Sequence, residues 1–167
     1  MLGCYLILFA AGKALMKQLK YSLCLMFLLC APIIALASAK LATVQVKVTG
    51  IQGNQGVVRI AMFDTAQNFS EKSNSAPGAF QKGIASISNN SQAVYTFKNV
   101  PYGAYAIKLF HDEDNSGKLK KNFFGKPQEG FGFSNNPPIA HQAPSFEQAK
   151  FVVDQARVAI TIEMINP

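Results

Sequence analysis

The sequence predicts an all-β fold, an antiparallel Ig-like β-sandwich of about seven strands with one long Gly/Phe-rich loop. Three observations predict it. Apolar residues recur at every second position in five separate segments. Clusters of Gly, Pro and Asn punctuate the chain between them. No stretch of helical period is long enough to cross over a parallel sheet. The bulk numbers agree: 49% hydrophobic against 15% charged residues is the opposite of a disordered chain. Twelve Gly and eight Pro in 167 residues exclude collagen-like and low-complexity classes.

The strands follow in order. Leu41 to Thr49 sets Val44, Val46 and Val48 against Gln45, Lys47 and Thr49, with the β-branched residues that a half-buried strand favours. Gly50 to Gly56 reads as a turn, and Val57 to Asp64 then buries Val58, Ile60 and Met62. Gln92 to Asn99 presents Tyr95 and Phe97, and Ala104 to Phe110 presents Tyr105, Ile107 and Leu109. Val158, Ile160, Ile162 and Met164 alternate with Arg157, Ala159, Thr161 and Glu163 in the last strand. Gly83 to Ser88 and Phe151 to Asp154 are shorter candidates. Helix is confined to single turns, at Pro77–Phe80 and at Ser145–Gln148, where Ser and Gln have capping-box spacing.

Residues 1–39 precede this pattern and read as an export leader. Lys17 and Lys20 supply positive charge, Ser22 to Ala35 is an apolar run, and Ala37-Ser38-Ala39 offers the small residues of a cleavage site. Met16 is an alternative start that would leave residues 1–15 untranslated. The apolar run is shorter than the roughly 20 residues of a membrane span, so cleavage after Ala39 is preferred to a retained anchor. The expected product is a single exported domain, 40–167, with no membrane span, placed in the periplasm or alternatively outside the cell. Cys4, Cys24 and Cys30 all leave with the leader, so the domain relies on its hydrophobic core alone. The leader also carries Lys13, Lys17 and Lys20 and no acid, which lowers the net charge from +7 to +4. That charge reads as spread along the chain, without the basic, aromatic-interleaved groove of a nucleic-acid binder.

Chemistry concentrates between residues 99 and 138. Pro101 and Gly103 make a tight turn, and Tyr105 is placed to bond its hydroxyl to nearby backbone, as at a sandwich corner. Asp112, Asp114 and Ser116 stand at alternate positions before Gly117, which with the Lys118 carbonyl gives positions 1, 3, 5 and 7 of a calcium loop. Lys120 and Phe123 occupy positions 9 and 12, where such a loop needs oxygens. Lys118, Lys120 and Lys121 offset Asp112, Glu113 and Asp114, each lysine costing a nearby dication on the order of 1 kcal/mol. An Asp/Asn/Gly turn that caps its own backbone needs no ion and is preferred; Glu129 folding back is the one route to a fuller, weak Ca²⁺ site. Beyond it, Phe123, Phe124, Phe131 and Phe133 lie among glycines, in a stretch that fits neither strand nor helix. They are expected to form a lid on the core, an exposed partner surface being the competing reading.

The run His111-Asp112-Glu113-Asp114-Asn115-Ser116-Gly117-Lys118-Leu119, followed by Phe124 to Asn136, resembles the signature of a bacterial exported family, domain of unknown function 2141. Pro101-Tyr102-Gly103-x-Tyr105-Ala106 and Phe146-x-x-Ala149-x-Phe151 match its pattern as well, and the resemblance spans Val44 to Ile162. It implies a transthyretin-like or carboxypeptidase-regulatory-like sandwich and brings no established activity. The family pattern has an acid where Lys120 stands, which implies one metal oxygen fewer here.

The resulting expectation is a non-catalytic binding or structural module of the cell envelope with an unidentified partner or small ligand. Its binding loop comprises His111, Asp112, Asp114, Asn115, Gly117, Glu129, Phe131, Phe133, Ser134 and Asn135. Any metal would take Asp112, Asp114, Ser116 and the Lys118 carbonyl, and no cofactor is expected other than Ca²⁺ there. The alternative is a small periplasmic hydrolase or isomerase using His111 with Asp112 or Glu129. His111 shares the inward parity of Ile107 and Leu109, and no nucleophile is paired with it, which favours the binding module.

Overall fold

A computed structural model describes residues 39–71, 76–139 and 142–167. Residues 1–38 of the leader, with its three cysteines, and His141 lie outside the described residues. Ala39–Pro167 forms one compact unit that contains every described strand and both parts of the core.

Among the described residues, eight strands make two sheets packed as a sandwich. The strands are β1 (Leu41–Thr49), β2 (Val57–Phe63), β3 (Gln81–Ser86), β4 (Ala93–Pro101), β5 (Gly103–Asp112), β6 (Phe131–Phe133), β7 (Phe151–Val153) and β8 (Arg157–Glu163). One sheet has the order β4-β1-β8; the other runs β3-β2-β5-β6, with β7 also paired to β5. The alternating residues meet between the sheets: Val44, Val46 and Val48 of β1, Val58, Ile60 and Met62 of β2, Ile107 of β5 and Ile162 of β8 are all buried. Tyr105 makes the expected corner, its hydroxyl donating to the Pro101 carbonyl at 3.0 Å.

Among the described strands the pairing is antiparallel except between β1 and β8, which run parallel in the register Val44↔Val158 to Val48↔Ile162. A parallel partner requires a long crossover, and here everything between the first and last strands serves as that connection. The alternation of β8 specifies its buried face but not its direction.

β6 corrects the expectation of an irregular aromatic stretch. Gly130-Phe131-Gly132-Phe133 is itself a period-two pattern whose inward residue is glycine. A Cβ on Gly132 would lie 2.9 Å from Ile162 Cγ2 and 3.1 Å from Leu109 Cδ1, and one on Gly130 would lie 2.8 Å from Met164 Cγ. The strand therefore lies too close to its neighbours for a side chain on that face, and its phenylalanines point to the other.

There they join a second core on the outer face of the larger sheet. Phe63, Ala106 and Phe133 are covered by Phe69 from α1 (Ala66–Ser70) and by Phe146 and Ala149 from α2 (Phe146–Ala149). The Phe69 ring makes edge contacts with Phe63, Phe133 and Phe146 at 5.6, 6.3 and 5.9 Å between centroids. α2 carries the expected capping box on Ser145 and Gln148. α1 was not legible in advance, although Thr65 caps it by accepting from the Asn68 amide. Pro77–Phe80 belongs to a turn, closed by Ala79 N–H donating to the Ala76 carbonyl at 3.1 Å, and not to a helix. Lys108 extends across this face, its ammonium 4.5 Å from the Phe69 ring centroid and bonded to the Phe69 carbonyl at the end of α1. Burial lowers its pKa, opposed by the nearby Glu71 charge.

Candidate functional site

The end of β5 delivers His111 and Asp112 to opposite faces of the larger sheet, as strand parity requires. Asp112 stands across from Val57, so Arg59 is its diagonal neighbour on the outer face. The Arg59 guanidinium binds Asp112 Oδ2, and the Gly117 amide donates to the same oxygen at 3.0 Å. The Ser116 hydroxyl donates weakly to Asp112 Oδ1 at 3.4 Å, and lies 3.1 Å from the Lys118 carbonyl. Asp114 accepts from the Ser116 amide at 3.1 Å, Asn115 takes a φ of 55°, and Gly117 one of 78°. This is the self-capped turn that the sequence favours.

Glu129 nevertheless folds back into it. Its carboxylate is buried and accepts from the backbone amides of Glu113 at 3.2 Å and Lys120 at 2.7 Å. One carboxylate oxygen from each of Asp112, Asp114 and Glu129 lies within 4.8 Å of the other two. With the Ser116 hydroxyl and the Lys118 carbonyl close by, the loop gathers oxygens of the kind a hard cation takes. The hydrogen bonds do not exhaust them, because an ionised carboxylate has about four lone-pair sites. Burial is the largest single influence on Asp112 and pushes its pKa up. The Arg59 bond and charge and the Gly117 and Ser116 amides together outweigh it, so Asp112 titrates below its ordinary value.

His111 belongs to the frame of the site. It is 1% exposed, and its Nε2–H donates to the Gln55 carbonyl at 2.7 Å, which places that proton. Its Nδ1 lies 3.6 Å from Glu113 Oε1. Gln55 and Gly56 come from the β1–β2 turn, so that turn supports the acidic loop from beneath.

The model of the family described as uncharacterized protein conserved in bacteria (DUF2141) matches residues 46–161, from within β1 to within β8. The chain belongs to the DUF2141 family. No curated protein and no solved structure matches it.

In this DUF2141 chain, the remaining candidate residues divide sharply. Phe133 is buried and Phe131 packs beside it in the second core, as a lid would. Phe123 and Phe124 correct that expectation: they are 97% and 83% exposed, in edge contact with each other at 5.6 Å. They sit at the tip of a short hairpin closed by the Lys121–Pro127 bridge.

Ser134 is wholly buried; its hydroxyl donates to the Ala149 carbonyl at 2.5 Å and accepts from the Ile107 amide at 2.8 Å. It fastens α2 to β5 and presents nothing to a ligand. Replacing Ser134 with Ala strands two buried backbone groups, so urea denaturation should show a loss of about 2 kcal/mol. Asn135 donates to the Gln148 carbonyl at 2.9 Å. Asn136 meets the outer edge of β8, donating to the Thr161 carbonyl and accepting from the Glu163 amide. These asparagines are structural clamps.

Arg59, Gln55 and Gly56 were missed as site residues. Arg59 had a readable signal, a charge on the outward parity of a strand otherwise holding Val57, Ala61 and Phe63 on that face. Gln55 and Gly56 looked like ordinary turn residues, and only the packing of two distant loops gives them a role.

Proposed function

We propose that this DUF2141 domain is a non-catalytic binding module of the bacterial cell envelope that presents the 111–136 loop and holds Ca²⁺ weakly at its root. The observation that carries the reading is Glu129, brought from the far side of the hairpin to within 4.8 Å of Asp112 and Asp114. Asp112 and Glu129 are buried and Asp114 is exposed beside them; carboxylates of like charge disfavour one another, and a cation between them offsets the repulsion. Arg59 on Asp112, and the lysines along the hairpin, keep the affinity low. Export to the envelope rests on the leader pattern of residues 1–39.

A hydrolase built on His111 is the less favoured alternative. The ring is enclosed and bonded to the Gln55 carbonyl, and Ser134 is already engaged at both lone pair and proton.

Calorimetry of Ala39–Pro167 tests the metal. Ca²⁺ at about ten times its dissociation constant should stabilise the domain by about 1.4 kcal/mol, raising Tm by about 4–6 °C over EDTA. Asp114→Asn keeps the bond to the Ser116 amide, so it should leave the EDTA melting temperature nearly unchanged and weaken Ca²⁺ affinity about tenfold, which cuts the stabilisation at the same Ca²⁺ concentration to about 0.4 kcal/mol. A melting temperature unmoved by millimolar Ca²⁺ would remove calcium from the account.

A further inference from the structure

Residues 118–128, Lys-Leu-Lys-Lys-Asn-Phe-Phe-Gly-Lys-Pro-Gln, contain four lysines and no acid. These four lysines stand along the hairpin, with Asp112, Glu113, Asp114 and Glu129 at its root. All four lysines are exposed, and no residue from Lys120 to Gln128 is buried. The tip is held in one shape. Asn122 accepts through its side-chain oxygen from the amides of Phe124 and Lys126, both at 3.0 Å, and its own amide donates to the Lys126 carbonyl at 2.9 Å. Gly125 takes a φ of 78° and donates to the Asn122 carbonyl at 2.9 Å, while Gln128 donates to the Lys120 carbonyl at 2.8 Å. A turn this well bonded holds Phe123 and Phe124 outward as a built feature, and two nearly bare phenylalanine rings are costly to leave in water.

We propose that this hairpin docks the domain on an anionic lipid surface, with Phe123 and Phe124 entering the headgroup–acyl boundary and Lys118, Lys120, Lys121 and Lys126 meeting lipid phosphates. The proposal rests on reading 111–136 as the binding loop and names its partner. Shape and charge both select a membrane over a protein. A stable protein interface needs about 800 Å² per partner and is depleted in lysine, whereas a convex tip of two rings offers little area to a folded surface. A bilayer closes around such a tip from every side. Lysines beside the rings keep their charge at the interface while their stems lie against the acyl boundary.

Vesicle cosedimentation of Ala39–Pro167 tests this, because the apolar leader would bind lipid by itself. The domain is expected to pellet with phosphatidylcholine/phosphatidylglycerol vesicles in EDTA and to stay in solution with phosphatidylcholine alone. Running the assay in EDTA separates its outcome from the Ca²⁺ melting shift, so either reading can fail without the other. The double variant F123S/F124S should bind at least about tenfold more weakly, at an unchanged melting temperature. Lys121→Gln and Lys126→Gln should each cost about fivefold, and added salt should weaken binding of the wild type. Three results would overturn the proposal: no binding to anionic vesicles, binding that is indifferent to F123S/F124S, or a dimer in light scattering that the same variant dissolves while vesicles leave it unaffected.

Discussion

Replacing Asp112 with Ala is expected to destabilise the domain by about 3 kcal/mol at neutral pH, a large part of the roughly 5–15 kcal/mol that holds such domains folded. The carboxylate is wholly buried and binds Arg59, the Gly117 amide and the Ser116 hydroxyl. Its removal leaves the guanidinium without its anion and opens the turn at Gly117. Arg59 is about a third exposed, and solvent recovers part of its loss, which holds the figure at the low end for a broken buried pair. The penalty should depend on pH. Asp112 titrates below its ordinary 3.8 in the folded state, so its contribution is complete above the unfolded pKa and is lost as pH falls through the lower folded one. Urea midpoints of wild type and Asp112→Ala should therefore converge only below about pH 4. A difference under about 0.5 kcal/mol at pH 7 would mean that the Arg59–Asp112 pair does not organise the loop.

Gly56→Ala is the second large effect, at about 3 kcal/mol or more. Gly56 has a φ of 70°, which costs a residue with a Cβ about 1–2 kcal/mol. Its Cβ would also lie 2.0 Å from the Asp112 carbonyl oxygen and 2.7 Å from Glu113 Cα. Both are backbone atoms that no rotamer change can move aside, so the β1–β2 turn or the acidic loop must shift. Gly53→Ala is the matched control: φ is 83°, but nothing lies within 4 Å of the new atom. It should lose only about 1–2 kcal/mol, and the difference between the two variants measures the close approach. The shift should also reach His111 through Gln55, so its imidazole resonances should move in Gly56→Ala and not in Gly53→Ala. Equal losses in the two variants would mean that the turn does not support the site.

Much of the frame was legible because its signals are local. Strand alternation marked β1, β2, β4, β5 and β8, Ser145 and Gln148 marked a helix start, and the Tyr105 corner followed from parity and a Pro-Gly turn. The acidic half-loop was visible as a turn that caps itself. Glu129 was only a possibility, since a residue 15 positions from Asp114 meets it by virtue of a hairpin whose tip Asn122 holds. β6 was hidden because it is only three residues long and its period-two pattern alternates Phe with Gly, a residue that elsewhere marks a loop.

Composition and two-residue periodicity by themselves determined that this chain makes a sandwich, which strand residues face between its sheets, and where its chemically dense loop lies. The tertiary structure decided the direction of β8, the diversion of His111 and Ser134 into the framework, the approach of Glu129 and the exposure of Phe123 and Phe124. The physical reason is range. Parity and turn chemistry act over a few residues, whereas pairing, convergence and exposure depend on which distant segments share a neighbour, and that is fixed only when the two sheets close on one core.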